Sequence, residues 1–266
     1  MRVNPPPALF SPQRRAAQRA RFAGADDFIG AMIAESLLDR LGMVTRTFAR
    51  GLLIAHSGHP LHAALTTIAG QVVVATDVPD SGPYDLIVWP GGLESIDDVP
   101  GALIRARRAL APDGLLIGAL VGDGSFPLLR RLLAGQGMRA IPRMHPQIDL
   151  NSLGNLLQRA GFALPVADVE ATALRYTDWR RLVADLRSAG LGSQLANAPP
   201  PLTRAELAAL DTGFAAACDA GERAQEALRI LYFTAWAPHP DQQQPARRGS
   251  GKSSLAAVLR QIGEEK

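Results

Sequence analysis

YDLIVWPGGLESIDDVPGALIRARRALAPDGLLIGALVG, residues 84–122, reads as one complete crossover unit. DLIVW (85–89) is a short, continuous apolar run of the kind that a strand buried on both faces needs. The turn-rich PGGLESIDD follows, with acids just ahead of a helix candidate over 99–110. PDG at 112–114 ends that helix, and a second apolar run, LLIGALV (115–121), begins at once. Strand, helix and strand joined by short turns place the two strands parallel in one sheet.

The rhythm continues in both directions. Upstream lie two more buried-strand candidates, GLLIA (51–55) and VVVAT (72–76), with a helix candidate at 61–69 between them. Before these, ADDFIGAMIAESLLDRLGMV carries Phe28, Ile29, Met32, Ile33, Leu37, Leu38 and Leu41 at spacings of three and four, which predicts an amphipathic helix capped by Asp26 or Asp27. Downstream come a helix candidate at 125–134 and a polar turn region with Pro142, His145 and Pro146. DLNSLGNLLQRAG then reads as a helix with Asp149 at its cap and Gly161 just past its end. LPVADVEA (164–171) reads as a strand and TDWRRLVADLRSAG as a helix. A proline run leads into a Thr203-x-x-Glu206 capping box, a helix to about residue 217, and a last strand at 228–237. The prediction is an α/β fold with a mostly parallel, Rossmann-like sheet over 26–240 and a helical insertion at about 171–224 before the last strand. A basic arm (1–25) precedes it and a polar tail (241–266) follows.

Composition narrows the function classes. Apolar residues make up 47% and charged residues 20%, which is sufficient for a sizeable core. No apolar stretch reaches the ~20 residues that a membrane span requires. Cys218 is the sole cysteine, which excludes an internal disulfide and a cysteine-cluster metal site and points to a reducing compartment. The net charge of +3 comes from the arm: Arg2, Arg14, Arg15, Arg19 and Arg21 all precede the first acid, Asp26, and the rest of the chain is slightly acidic. No aromatic residue falls among Arg14, Arg15, Arg19 and Arg21, so the arm reads as a solvated or partner-docking helix and nucleic acid is not expected as a partner. An arginine-rich, acid-free start also has the look of a mitochondrial transit peptide. Family-like sequence from about Phe10 favours a bacterial cytoplasmic location instead.

Residues 84–122, the segment DLNSLGNLLQRAGFALPVADVEA, the motif DLRSAG and the tail TAWAPHPDQQQPARRGSGKSSL together resemble the methyltransferase-like family that includes the arginine-hydroxylase assembly factor of respiratory complex I. The resemblance runs from about Phe10 to Leu259. It implies a class I, S-adenosylmethionine-dependent methyltransferase fold, S-adenosylmethionine as cofactor, and a protein substrate or respiratory-complex subunit as partner. In such folds the first strand ends in an acid followed by Gly-x-Gly-x-Gly. Here LLIAHSGHP puts Leu53 at the acid position and Ala55, Ser57 and His59 at the glycine positions. The cofactor positions that the resemblance assigns are Ala55, His56, Ser57, Gly58 and Asp77. Asp77 matches either the ribose-side or the adenine-side acid. Between Pro60 and Asp85 there is room for only one strand, so the sheet is expected to lack one strand–helix unit. In the loop after DLIVW, the family's Leu-His-Trp-Val-Asn-Asp becomes Leu93-Glu94-Ser95-Ile96-Asp97-Asp98.

Side chains in place of the glycines are expected to strain the loop. A non-glycine residue held at positive φ costs about 1 kcal/mol, and micromolar binding is worth only about 8 kcal/mol in all. Two functions therefore stand side by side: an enzyme modifying a protein side chain such as arginine, and a catalytically inactive pseudoenzyme acting as a binding or assembly factor.

Other motifs carry less. GSGKSSL (249–255) resembles a phosphate-binding loop, but Ala246 stands where its first glycine belongs and QQQPARR is no buried strand. His56, His59 and His62 read as loop histidines with no metal assigned; were the protein to oxidise a side chain, these with Asp77 are where iron would be sought. Glu94, Asp97 and Asp98 are candidate general bases or, in the simpler reading, caps of the helix at Val99. Trp89, Trp179 and Trp236 are expected in the core or an interface, and Arg175 and Tyr176 are weak candidates for touching a substrate.

Overall fold

The computed structural model describes residues 8–22, 26–135, 143–197 and 199–239. The GSGKSSL motif and the tail from 241 lie outside the described residues, as do Arg2 and Pro142. Five parallel strands, β1 (Phe48–Ile54), β2 (Ala69–Ala75), β3 (Tyr84–Trp89), β4 (Leu110–Val121) and β5 (Ala163–Tyr176), share one sheet with β6 (Ala224–Trp236) in the order β2-β1-β3-β4-β6-β5. β6 runs antiparallel to both β4 and β5. One strand does span the segment between Pro60 and Asp85, so the expected loss of a strand–helix unit is seen.

The apolar runs form these strands because both faces of the sheet are covered. Successive residues of each run enter opposite cores. Leu53, Val88 and Ile117 pack with helices α2 (Phe28–Gly42), α3 (Leu61–Ile68), α5 (Pro127–Ala134), α7 (Trp179–Ser188) and α8 (Arg204–Ala215). Leu52, Ile87 and Leu116 pack with α4 (Val99–Ala109) and α6 (Leu150–Arg159) on the other side. Caps fall where the sequence signals them. Asp27, Asp98, Asp149 and Asp178 each accept a backbone N–H of the helix they open, Thr203 and Glu206 close a reciprocal box, and Gly161 takes φ +85 after α6. Asp27, not Asp26, holds the first of these.

The hairpin of β5 and β6 is longer than its sequence suggests. Its pairing runs from Ala163–Trp236 out to Tyr176–Ala224, whereas β4 meets β6 only between Leu115 and Val121. The outer ends, TALRY and AQEAL, are poor in β-branched residues and become strand because each supplies the other's ladder. The insertion therefore spans 177–223 rather than 171–224, and Arg175 and Tyr176 belong to β5. Arg40 of α2 fixes the hairpin to the helical layer. Its guanidinium lies 4.2 Å from the Tyr232 ring centroid and bonds Asp168 at 2.6 Å and Glu170 at 2.8 Å.

The N-terminal helix α1 (Pro12–Phe22) is docked on the chain itself, where the sequence had suggested a solvated or partner-docking arm. Asp97 accepts the backbone N–H groups of Leu9 (2.8 Å) and Phe10 (3.1 Å). Phe10 bridges to Leu195, and Gln18 donates to the Ser193 carbonyl at 2.9 Å.

β6 fits beside β4 only because β4 carries Gly118. A Cβ there would stand 2.5 Å from the Phe233 ring and 2.6 Å from the Trp89 carbonyl oxygen. Gly118→Ala is expected to destabilise the protein by about 1–3 kcal/mol, the cost of forcing atoms into a filled core, read as a lowered urea midpoint with an unchanged m value.

Candidate functional site

The parallel strands β1, β3 and β4 end on one edge of the sheet, the edge where open α/β sheets hold ligands. Three loops gather there: 55–60 after β1, 90–98 after β3 and 122–126 after β4.

The first loop holds the cofactor positions given by the resemblance. Leu53 is fully buried and Ala55 nearly so, while His56, Ser57 and Gly58 are exposed. The expected strain is absent. Ala55, Ser57 and His59 all keep negative φ, and the one left-handed residue is Gly58 at φ +82, where an added Cβ would meet open space. The backbone has taken a different path that puts the turn on the glycine it does possess. Pro60 stands at the N-cap of α3 rather than inside the helix and offers no side-chain acceptor; His59 Nδ1 accepts the Leu61 N–H at 3.3 Å instead. The His56 and His59 rings pack edge to face at 5.4 Å. His56 also faces Asp27, whose carboxyl is raised above the usual range by burial, with the Gly30 N–H and His56 opposing that shift. His62 lies on α3, and among the described residues no group of three or more His, Cys, Asp or Glu is gathered as a metal site. Asp77 accepts the Val78 N–H at 2.8 Å and lies 3.8 Å from Arg105.

The acids after β3 divide their work. Asp98 caps α4 through the Gly101 N–H at 2.8 Å, Asp97 binds the N-terminal segment, and Glu94 accepts the Gly92 N–H at 3.0 Å. Capping is the role seen for Asp98; the role of Asp97 in seating the first residues was not legible from its spacing.

Beyond Glu94 the structure opens a cavity of about 230 Å³ that the sequence does not announce. Its floor is Val121, Phe126 and Leu129, from the end of β4 and the start of α5. Trp179, Val183 and Leu186 of α7 roof it, so Trp179 is both core and cavity wall. Trp89 is buried in the opposite core, and Trp236 is half-buried. Arg175 pairs with Asp219, and Tyr176 is buried, which together with the nearby Asp185 charge raises its pKa; neither lines the cavity. Arg130, Arg143, His145 and Arg187 supply its polar edge. Arg130 donates to the carbonyls of Ser125 (3.3 Å) and His145 (2.6 Å), and Arg143 to that of Pro200 (2.9 Å).

His145 Nε2 accepts the Gln194 N–H at 2.6 Å, and its ring meets Phe10 edge to face at 5.1 Å. A nitrogen that accepts from a backbone amide must be unprotonated, so the ring is neutral with its proton on Nδ1. Burial, and then the Arg130 charge, push the imidazole down to about 4. The folded value lies below the ordinary 6.5, so the unfolded chain takes up the proton first. Stability present above pH 6.5 is lost as the pH falls toward 4. His145→Gln keeps an acceptor and removes the titration; its urea-unfolding free energy is expected to fall less steeply over that interval than that of the unsubstituted protein.

Comparison with known proteins agrees with this architecture. A sequence profile described as a methyltransferase domain matches residues 8–165, more than half of the chain. The chain is 32% identical over 192 residues to the mitochondrial arginine-hydroxylase NDUFAF5 of Danio rerio, covering 68% of this chain and 58% of that protein. With its Homo sapiens counterpart it shares 31% over 186 residues, 66% of this chain and 52% of that one. Malonyl-[acyl-carrier protein] O-methyltransferase of Laribacter hongkongensis is 33% identical over 110 residues, 41% of this chain and 36% of that protein. The matched part thus spans about half the length of the first of these relatives. Among solved structures, a methyltransferase-type protein from Bacillus halodurans superposes with a TM-score of 0.51 at 11% identity, over 77% of this chain and 98% of that one, a likeness of fold alone. The profile match over more than half of the chain, on a six-stranded sheet whose last strand is reversed between β4 and β5, establishes that this chain belongs to the methyltransferase-domain family.

Proposed function

We propose that this protein keeps the methyltransferase fold as a catalytically inactive binding or assembly factor, with a protein such as a respiratory-complex subunit as partner. The observation that carries this reading is Leu53. At the end of β1, where the family's acid would hold the amino group of S-adenosylmethionine, a leucine with no exposed surface is part of the core. A carboxylate at that position would be a buried charge without a partner, so the core as built selects against it. The rebuilt loop supports the same reading. With one left-handed residue in place of a glycine-lined cradle, and with Asp77 engaged by Val78 N–H and Arg105, the residues present do not fit the cofactor.

On this reading the chain is organised as a basic arm (1–25), the α/β body (26–240) and a polar tail (241–266), placed in the bacterial cytoplasm. The rival reading is modification of a protein arginine, and what favours it is the name of the NDUFAF5 relatives, arginine-hydroxylase.

Isothermal titration of the purified protein with S-adenosylmethionine, and with S-adenosylhomocysteine in parallel, tests the proposal. Neither heat of binding nor thermal shift is expected at ~1 mM ligand, weaker than about −4 kcal/mol. A micromolar dissociation constant would overturn the pseudoenzyme reading and return the chain to the modifying enzymes.

A further inference from the structure

The cavity between α5 and α7 gathers more positive than negative charge among its described lining residues. The ion pairs of the described residues lie elsewhere: Arg40, Arg46, Arg105, Arg175, Arg180 and Arg181 each have a carboxylate within 4 Å. Arg130, Arg143 and Arg187 all line the cavity, and among the described residues none of them is in an ion pair. Glu94, the carboxylate among the described lining residues, accepts the Gly92 N–H and keeps its charge, so the three guanidinium groups outnumber it. Arg130 is half-buried and held by two carbonyls, which satisfy its donors without neutralising its charge. Burial depresses its pKa, with the charge of Asp123 opposing, as expected of a partly desolvated cation. His145 adds a donor rather than an acceptor, because its Nε2 is occupied by Gln194 and its proton sits on Nδ1.

The wall is of the opposite character. Phe126, Leu129, Leu133, Trp179, Val183 and Leu186 make an apolar chamber. A cavity of ~150 Å³ takes up benzene. By proportion, this one of about 230 Å³ holds roughly nine non-hydrogen atoms. One amphiphilic anion would match the apolar walls with its tail and the half-buried Arg130 and Arg143 and the exposed Arg187 with its head.

From the apolar chamber and its unpaired arginines we infer that this cavity binds a medium-chain monocarboxylate, with the apolar tail between α5 and α7 and the carboxylate among Arg130, Arg143 and Arg187. A guanidinium or ammonium group is excluded by the same charges. The assignment rests on the cavity alone and stands apart from the reading of the cofactor loop.

The test is calorimetric titration of the full-length protein with octanoate, octanol, octylamine and octylguanidinium, four probes that share a tail and differ in head group. Octanoate is expected to bind at least ~10-fold more tightly than octanol, the gain of one charge-assisted hydrogen bond, and the two cations more weakly than either. Arg187→Met removes an exposed arginine with no structural partner and is expected to weaken octanoate ~10-fold while leaving octanol unchanged. Leu133→Trp, which fills the half-buried side of the chamber, should abolish binding of both; circular dichroism and the urea midpoint verify that each variant is folded. Octylguanidinium or octylamine binding as well as octanoate would overturn the inference. So would no octanoate binding at ~5 mM, or an Arg187→Met loss shared equally by octanol. None of these probes is S-adenosylmethionine, so failure here leaves the preceding titration unaffected, and the reverse.

Discussion

The reversed strand β6, driven between β4 and β5, is the constraint on which the other parts depend. It arrives last in the sequence and sits inside the sheet, so β5 has no place in the fold until β6 supplies a ladder on its inner side. Two glycines make the fit possible. Gly118 leaves room for the Phe233 ring, and at Gly122 a side chain would overlap Leu231. β6 also delivers Glu226, completely buried, whose carboxyl accepts the Leu128 and Leu129 N–H groups at the start of α5. Burial raises the pKa of that carboxyl while the two amide donors oppose the shift. A strand in the middle of the sheet thus fixes the helix that floors the cavity.

The cavity and the loop after β1 lie on one edge of the sheet and differ in character. At the end of β1, Leu53 and Ala55 belong to the core while His56, Ser57 and Gly58 are exposed. At the end of β4, some distance along the same edge, unpaired positive charge surrounds an apolar chamber roofed by the insertion. The N-terminal segment ties the two regions together. Asp97, from the loop after β3, holds Leu9 and Phe10, while Phe10 touches His145 on the cavity's edge. The Arg-rich helix that follows is anchored at its start by Asp97 and by the two backbone hydrogen bonds of the Phe10–Leu195 bridge.

Much of this fold was legible in the chain. The runs at 51–55, 72–76, 85–89 and 115–121 are strands because only a sheet covered on both faces accepts continuous apolar residues, and their loops are too short for other connections. The caps at Asp98, Asp149 and Thr203 were readable because capping is local chemistry. The outer half of the β5–β6 hairpin was not, since TALRY and AQEAL carry little preference of their own. The loop 55–60 was legible as a departure from a motif but not as a shape. Substituted glycines foretold strain, and the backbone avoided it by moving the left-handed turn to Gly58.

By itself, then, the sequence determined the layers, the parallel strands, the missing strand–helix unit and the absence of an acid at Leu53, because periodicity, caps and residue identity act over a few neighbours. Only the tertiary structure decided where the arginines stand. Arg130, Arg143 and Arg187 are separated in the chain by 12 and 43 residues, and nothing local distinguishes them from Arg40 or Arg180, which found carboxylates. Charge compensation is a property of positions in space, and it was the packing of α7 over α5 that left these three around an apolar chamber without a counter-ion.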